Sequence, residues 1–192
     1  MCSWCWGYRP EWLKLKSAVQ GELQLINVLG GLAPDSDQPM PVDMQQAIEG
    51  HWRKIQAMLG TKFNFDFWRV CQPRRDTYKA SRAVIVADSH ELGEEMIAAV
   101  QQAYYLRAMN PSEPEILADL AAELGLNRSL FMQDLVSVQT ETELQSQLAL
   151  SAKLKVNGMP CLVLGHGSKN TIIRHDYQDY RISLAEIQNC LT

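Results

Sequence analysis

The chain opens with an apolar stripe that has the three- and four-residue spacing of an α-helix. The stripe consists of Tyr8, Trp12, Leu15 and Val19. Gly21 is a typical stop signal after it, and Pro10 lies inside it, where we expect a kink. Residues 22–29 (ELQLINVL) are mostly apolar and are followed by two glycines, which favours a buried β-strand. The pattern therefore predicts a helix followed by a strand.

Residues 43–153 show helical patterns almost throughout. One stripe at four-residue spacing consists of Leu92, Met96, Val100 and Tyr104. Pairs with the spacing of a capping box mark four helix starts, at Asp43, Asp88, Ser112 and Thr140. Apolar positions with this periodicity generally form a core. We therefore expect a block of several helices packed around one interior.

After the helical block the pattern changes to that of a β-hairpin. Two short apolar runs, residues 161–164 (CLVL) and 171–174 (TIIR), flank the turn-rich residues 165–170 (GHGSKN). Ser183 and Glu186 then have the spacing of a helix start. The tail therefore predicts two antiparallel strands and a last helix.

The composition is that of a single folded domain. The chain has 192 residues, of which 46% are hydrophobic and 21% charged, and its formal net charge is −4. Its longest apolar runs have five residues, far fewer than the ~18 that a membrane-spanning helix needs. No strongly basic stretch points to a nucleic acid or an anionic membrane. We therefore expect a soluble protein without nucleic-acid or membrane partners.

The number of cysteines and the N-terminal sequence indicate the cellular compartment in which the protein is found. Five cysteines are too few, and odd in number, for a disulfide-stabilised scaffold. The first residues show no basic stretch followed by an apolar segment, which a secretory signal would need. Both observations favour a cytoplasmic location. A periplasmic location stays open if further residues, including a signal, precede Met1.

Cys2-Ser3-Trp4-Cys5 is a C-x-x-C motif at the start of the first predicted helix. Two intervening residues let the sulfurs meet across one helical turn, so the pair can cycle between dithiol and disulfide. Unpaired N–H groups and the helix dipole at such a position stabilise a thiolate and lower its pKa. Cys2, at the outer end, is the candidate nucleophile, and Cys5 is the candidate resolving thiol. This redox chemistry needs no dissociable cofactor.

Two other interpretations of the motif stay open. The cysteines could form half of a zinc knuckle, or they could be structural. A structural zinc site needs a second C-x-x-C or two closely spaced histidines. Cys71, Cys161 and Cys190 are isolated in sequence, and the four histidines are far apart. We therefore assign no metal ligands.

Gly158-Met159-Pro160 stands directly before the first apolar run of the tail. An X-Pro bond at such a position can be cis, although a trans bond is far more common. A cis proline before a strand would leave a backbone edge free to hold an extended peptide beside a catalytic cysteine. Met159, Pro160 and the adjacent Cys161 are therefore candidate substrate contacts. Trp4, on an exposed turn between the cysteines, is another.

The two motifs together, with a helical block between them, resemble the thioredoxin superfamily and in particular its DsbA-like branch. Residues 1–6 (MCSWCW) are similar to the D-P-M-C-x-W-C-[WY]-G-[FY] signature of an uncharacterised DsbA-like subgroup related to the FrnE-type oxidoreductases. The resemblance implies an α/β thioredoxin-like fold built from residues 1–42 and 154–192, with residues 43–153 as an all-helical insertion. It also implies that Cys2 is the nucleophile, Cys5 the resolving cysteine and Pro160 the cis-proline.

In two respects the chain departs from that family. The family has a β-strand before the C-x-x-C, and this first strand is missing from the present chain. Residues 22–29 and 161–164 would then both lose ladder hydrogen bonds, so we expect a chain that starts at Met1 to fold poorly or to borrow a strand. Cys161, directly after the cis-proline position, is not a residue that the fold requires.

The resulting prediction is a thiol–disulfide oxidoreductase or isomerase that acts on protein or small-molecule disulfides. A second enzyme class on the same fold is a glutathione-dependent transferase or isomerase of the kappa-class type, which typically has a serine at the position of Cys2. A non-enzyme alternative is a metal- or cluster-binding protein that uses Cys2, Cys5 and Cys161. The presence of both Cys2 and Cys5 favours redox chemistry, because a transferase needs no resolving thiol.

Overall fold

The computed structural model describes residues 1–191, which form nine helices and one β-hairpin. The elements in chain order are α1 (Ser3–Val19), α2 (Val42–Leu59), α3 (Phe67–Val70), α4 (Tyr78–Asp88), α5 (Gly93–Tyr105), α6 (Pro114–Glu123), α7 (Arg128–Leu135), α8 (Val138–Lys153), β1 (Leu162–His166), β2 (Lys169–Ile173) and α9 (Tyr180–Leu191). The uninterrupted run of helices from α2 to α8 confirms the predicted helical block. None of the helices in residues 1–191 is both long and apolar enough to cross a membrane.

The larger hydrophobic core lies inside the helical block. Helix α4 contacts α5, α6, α7 and α8, and buried apolar side chains of α4, α5, α6 and α7 form the interior. Met96 and Val100 of the predicted stripe are buried there, and Tyr104 continues the stripe into a neighbouring aromatic cluster. The helical periodicity of this part of the chain is therefore explained by core packing.

The hairpin forms a smaller core with the first and last helices. β1 and β2 are antiparallel, and Leu162 pairs with Ile173. This smaller core consists of Leu15, Val19, Leu164, Ile173 and Ile187. Helix α9 begins at Tyr180, whose N–H donates to the buried carboxylate of Glu11 on α1 at 2.8 Å. The hairpin and α9 thus hold the tail of the chain against α1.

Residues 22–29 do not form a strand, which corrects the prediction from their apolar pattern. The sheet of the described residues contains only β1 and β2, and the main chain of residues 24–28 makes no hydrogen bond within residues 1–191. Ile26 is 71% exposed. The physical reason is that a strand needs a hydrogen-bonded neighbour, and no strand formed by residues 1–191 pairs with this segment.

Candidate active site

The start of α1 carries both cysteines of the C-x-x-C motif. Cys2 is the residue that directly precedes the helix, with φ −94° and ψ 113°, and Cys5 lies in the first turn. Gly7 lets α1 approach α2 closely, since a Cβ atom there would lie 2.9 Å from Cγ2 of Ile55. The cysteines therefore sit at the end of a helix that is firmly packed behind them.

Trp6 anchors the same helix on another side. Its ring stacks on that of Tyr105 with centroids 5.5 Å apart, and its indole N–H donates to the carbonyl of Lys62 at 3.1 Å. These contacts show that Trp6 packs against the helical block. Trp4, in contrast, stands between the two cysteines, and its ring contacts Tyr177.

The two thiols of the motif differ strongly in acidity. The pKa of Cys2 is lowered to about 6, chiefly by a hydrogen bond from the Cys5 thiol and also by the main-chain N–H groups of Cys5 and Trp4, against the opposing effect of burial. The pKa of Cys5 is raised, first because its proton is held in the hydrogen bond with Cys2 and then because the thiol is buried. At neutral pH, Cys2 is therefore mostly a thiolate and Cys5 keeps its proton.

The Met159–Pro160 peptide bond is cis, as the resemblance to the DsbA-like branch implies. The carbonyl oxygen of Met159 lies 3.4 Å from the sulfur of Cys2 and accepts a hydrogen bond from the thiol form. Met159, Pro160 and Cys161 line one groove together with Cys5. The fold thus brings together two motifs that are 157 residues apart in sequence.

An aromatic wall, formed by Trp4, Tyr8, His175 and Tyr177, borders the dithiol. Trp4 meets Tyr177 edge to face at 5.3 Å between centroids, and His175 contacts Tyr177 at 5.3 Å and Tyr8 at 5.1 Å. The ammonium of Lys54 lies 5.9 Å from the centre of the Trp4 ring. The ring of Trp4 is therefore held beside the thiols by its packing in this aromatic wall.

Tyr177 and His175 are site residues that the sequence did not mark. Burial, and after it the nearby Cys2 and Cys5, raises the pKa of Tyr177 to about 12, so its phenol is neutral at physiological pH. Burial likewise lowers the pKa of His175, which keeps the imidazole uncharged at neutral pH. Neither residue belongs to a local motif, and only the tertiary fold places them here.

The remaining cysteines do not complete a metal site. Burial raises the pKa of Cys161, and its Sγ lies 4.0 Å from the carbonyl oxygen of Leu162. Cys71 donates to the carbonyl of Ala108 at 3.1 Å. Between residues 1 and 191, no three or more histidine, cysteine or carboxylate side chains are grouped so that they could hold a metal ion. Cys2, Cys5 and Cys161 do not form such a group.

A C-x-x-C at a helix start, set beside a cis-proline that leads into a strand, places the protein in the thioredoxin-like class. More narrowly, residues 1–179 match the DSBA-like thioredoxin domain, and the chain belongs to that family. The predicted fold, a thioredoxin-like domain with a helical insertion, is thereby confirmed.

Two solved structures share this fold over the whole chain. A protein from Nitrosomonas europaea, provisionally named a protein disulfide isomerase, is 23% identical with a TM-score of 0.84, and the match covers 100% of this chain and 93% of that one. The cytosolic disulfide reductase DsbM of Pseudomonas aeruginosa is 24% identical with a TM-score of 0.77, covering 100% and 96%. DsbM has also been solved with glutathione. At these identities the likeness establishes the fold.

One curated relative is similar in sequence. The ClpXP adapter protein SpxH of Halalkalibacterium halodurans is 22% identical over 175 residues, which cover 85% of this chain and 55% of that protein. The chain thus spans about half the length of the curated relative it matches.

The low pKa of Cys2 predicts a specific pH profile for its alkylation. Because only the thiolate reacts, the rate in the reduced protein should rise about tenfold per pH unit below pH 6 and level off above pH 7. Mass spectrometry after iodoacetamide treatment at each pH measures this site by site.

Cys161 is the control within the same protein, because burial raises its pKa and its alkylation should still increase above pH 9. A profile for Cys2 that keeps rising beyond pH 8 would contradict the stabilisation of its thiolate by Cys5 and the helix start.

Proposed function

We propose that the protein is a cytoplasmic thiol–disulfide oxidoreductase that reduces protein or small-molecule disulfides through the Cys2–Cys5 dithiol. One observation carries this proposal: Cys2 is stabilised as a thiolate by the same hydrogen bond that keeps Cys5 protonated. A dithiol in this state is ready to attack a disulfide and to resolve the product.

The reaction runs in two exchange steps. The Cys2 thiolate attacks one sulfur of a substrate R–S–S–R, forming a Cys2–S–S–R mixed disulfide and releasing R–S⁻. Cys5 then attacks the Cys2 sulfur, its proton passes to the departing second R–S⁻, and the Cys2–Cys5 disulfide forms. Two electrons have moved from the dithiol to the substrate. Two molecules of an external thiol such as glutathione restore the dithiol and leave as their disulfide.

Several contacts support a substrate position beside Cys2. The groove at Met159, Pro160 and Cys161 adjoins the dithiol at Cys5, and Trp4, which stands between the two cysteines, packs its ring on that of Tyr177. We propose that an extended substrate lies along the loop at Pro160 and contacts Trp4. The solved complex of DsbM with glutathione favours glutathione as the reducing thiol, by analogy of fold alone.

A measured reduction potential tests the direction of the reaction. The pKa of Cys2, about 6, lies between those of the thioredoxin (about 7) and DsbA (about 3.5) nucleophiles, and interpolation between their potentials predicts about −225 mV for the Cys2–Cys5 pair. In a glutathione buffer poised at about −240 mV, the ratio of the dithiol to the disulfide form should then be about three.

Glutathione should accordingly sustain turnover of a mixed-disulfide substrate. A potential below about −270 mV would leave the disulfide form stable in that buffer and would contradict a glutathione-driven reductase. Conjugation of glutathione to an electrophile that survives Cys5→Ser would instead favour the kappa-class alternative, in which no resolving thiol takes part.

A further inference from the structure

Two consecutive glycines follow the apolar residues 22–29, and the structure gives each of them a different reason to be glycine. Gly31 has φ +61°, in the left-handed region, and a Cβ atom there would overlap Cδ2 of Leu148. The φ of Gly30 is not positive, so its backbone suits other residues as well. A Cβ atom at Gly30 would instead lie 2.7 Å from the sulfur of Met159. Glycine at this position therefore provides space for a neighbouring side chain.

The main chain around Gly30 is fixed to helix α8. The N–H of Leu29 donates to the side-chain oxygen of Gln147 at 3.0 Å, and Gly31 packs directly on Leu148. Both partners belong to α8, which packs on α4 in the helical block. The main chain at Gly30 is therefore a firm surface against which another side chain can rest.

Met159 lies between this surface and the nucleophile. Its thioether rests against Gly30, and its carbonyl oxygen lies 3.4 Å from the sulfur of Cys2. Gly30 and Met159 both line the groove that also contains Cys5 and Pro160. The thioether is thus packed into the wall of the same groove in which we place the substrate.

We propose that Gly30 is a positioning residue of the active site, which seats the side chain of Met159 clear of the substrate. The inference rests on the proposed function, because we place the substrate along the loop at Pro160. A methyl group at Gly30 would displace the thioether, and the flexible methionine side chain can move at little cost to the fold. The free space beside it is the groove, so the displaced side chain would occupy part of the substrate position.

Steady-state kinetics of Gly30→Ala test the effect on the substrate. With a mixed disulfide of glutathione and a short cysteine-containing peptide, KM should rise at least about fivefold and kcat should change less than about twofold, because the thiols themselves are unaltered. In a Met159→Ala background, Gly30→Ala should change KM less than about twofold, because no thioether remains to be displaced.

Gly50→Ala is the matched control for the added methyl group. Gly50 is exposed on α2, and a Cβ atom there would meet nothing beyond its own turn of helix within 4 Å. This variant should leave KM and kcat unchanged.

Methyl NMR tests the packing of Met159 on Gly30 without any disulfide substrate. In the full chain with isotope-labelled methionine methyl groups, the signal of Met159 is identified by its loss in Met159→Ala. It should show a nuclear Overhauser effect to the α-protons of Gly30. In Gly30→Ala the signal should move, while the other methionine signals stay in place. Because the Overhauser effect is measured with glycine at this position, it tests the contact even if Gly30→Ala is too unstable to assay.

Three results would overturn the proposal. The first is the absence of the Overhauser effect between Met159 and Gly30, and the second is an unchanged KM in Gly30→Ala. The third is a rise in KM that is equally large in the Met159→Ala background, which would show that the methyl group acts through other atoms. A failure of the unaltered protein to reduce any disulfide would instead overturn the proposed function, and the Overhauser effect would still report where the thioether lies.

Discussion

Replacing Cys2 by serine should abolish disulfide exchange, and replacing Cys5 by serine should turn the protein into a trap for its substrates. Without Cys2 the motif loses the thiolate that attacks and keeps only the more deeply buried Cys5 thiol, so the rate should fall by about three orders of magnitude or more. In Cys5→Ser, the Cys2 sulfur can still attack, but nothing resolves the mixed disulfide. Non-reducing electrophoresis and intact mass of each variant, after incubation with oxidised glutathione, measure the trapped species.

Cys5→Ala should also form adducts, but its attack should be slower at neutral pH. The Cys5 thiol donates the hydrogen bond that contributes most to the low pKa of Cys2. Serine keeps a donor at this position and alanine does not, so in Cys5→Ala the pKa of Cys2 should rise and its thiolate fraction at pH 7 should fall. The adduct of Cys5→Ala should therefore accumulate faster as pH increases from 6 to 9.

Cys190→Ser is the matched control, since Cys190 lies on α9 and packs against the smaller core away from the dithiol. This variant should keep the activity of the unaltered protein and form no stable adduct. Equal trapping by Cys2→Ser and Cys5→Ser would show that the roles of nucleophile and resolving thiol are not divided as we propose.

Local sequence patterns were sufficient for the features that depend on neighbouring residues. The C-x-x-C does lie at a helix start, because Cys2 precedes a long amphipathic stretch that packs on the hairpin. The turn-rich residues 165–170 also contain the turn between two antiparallel strands, which is residues 167–168. In both cases the residues that specify the structure are within a few positions of it. The cis bond before Pro160 is different, because local sequence favours a trans bond and only the resemblance to the DsbA-like branch implies a cis bond.

Features that depend on distant residues were missed or predicted wrongly. Residues 22–29 have the composition of a strand, yet a strand exists only beside a partner, which local composition does not contain. Tyr177 and His175 join the aromatic wall because α9 and the hairpin pack on α1. Their own sequence neighbourhood carries no sign of a role beside Cys2.

Local sequence patterns also placed some helix starts wrongly. Thr140 and Glu143 fit a capping box, but α8 begins earlier, where the hydroxyl of Ser137 accepts the N–H of Thr140. Ser137 has no Glu or Gln three residues later, so the capping-box pattern identifies Thr140 and misses the residue that caps the helix. Asp88 likewise fits a start but is the last residue of α4.

The aromatic cluster around Trp52 should respond most strongly to a single substitution in the core. Trp52 is 0% exposed, and its ring lies 5.0–6.0 Å, between centroids, from six other aromatic rings. Replacing it by alanine removes these contacts and leaves a large cavity, which should lower the free energy of unfolding by about 3–5 kcal/mol. Urea unfolding followed by far-ultraviolet circular dichroism measures this loss.

The neighbouring His51→Ala is the control, because His51 is exposed on the same helix and should change the stability by less than about 0.5 kcal/mol. The cluster also reaches the active site, since Tyr105 contacts Trp52 and stacks on Trp6 behind the dithiol. In Trp52→Ala, the support of α1 should therefore loosen, and the thiolate plateau of Cys2 alkylation should move to higher pH.

Trp52→Phe separates ring packing from hydrogen bonding at this position. The indole N–H of Trp52 has no hydrogen-bond acceptor within the described part of the chain, so replacing it should cost no hydrogen bond. Phenylalanine keeps most of the aromatic contact, and we expect a loss of only about 1–2 kcal/mol. If Trp52→Phe were as destabilising as Trp52→Ala, the stability of the cluster would depend on the indole N–H and not on the area of ring that packs.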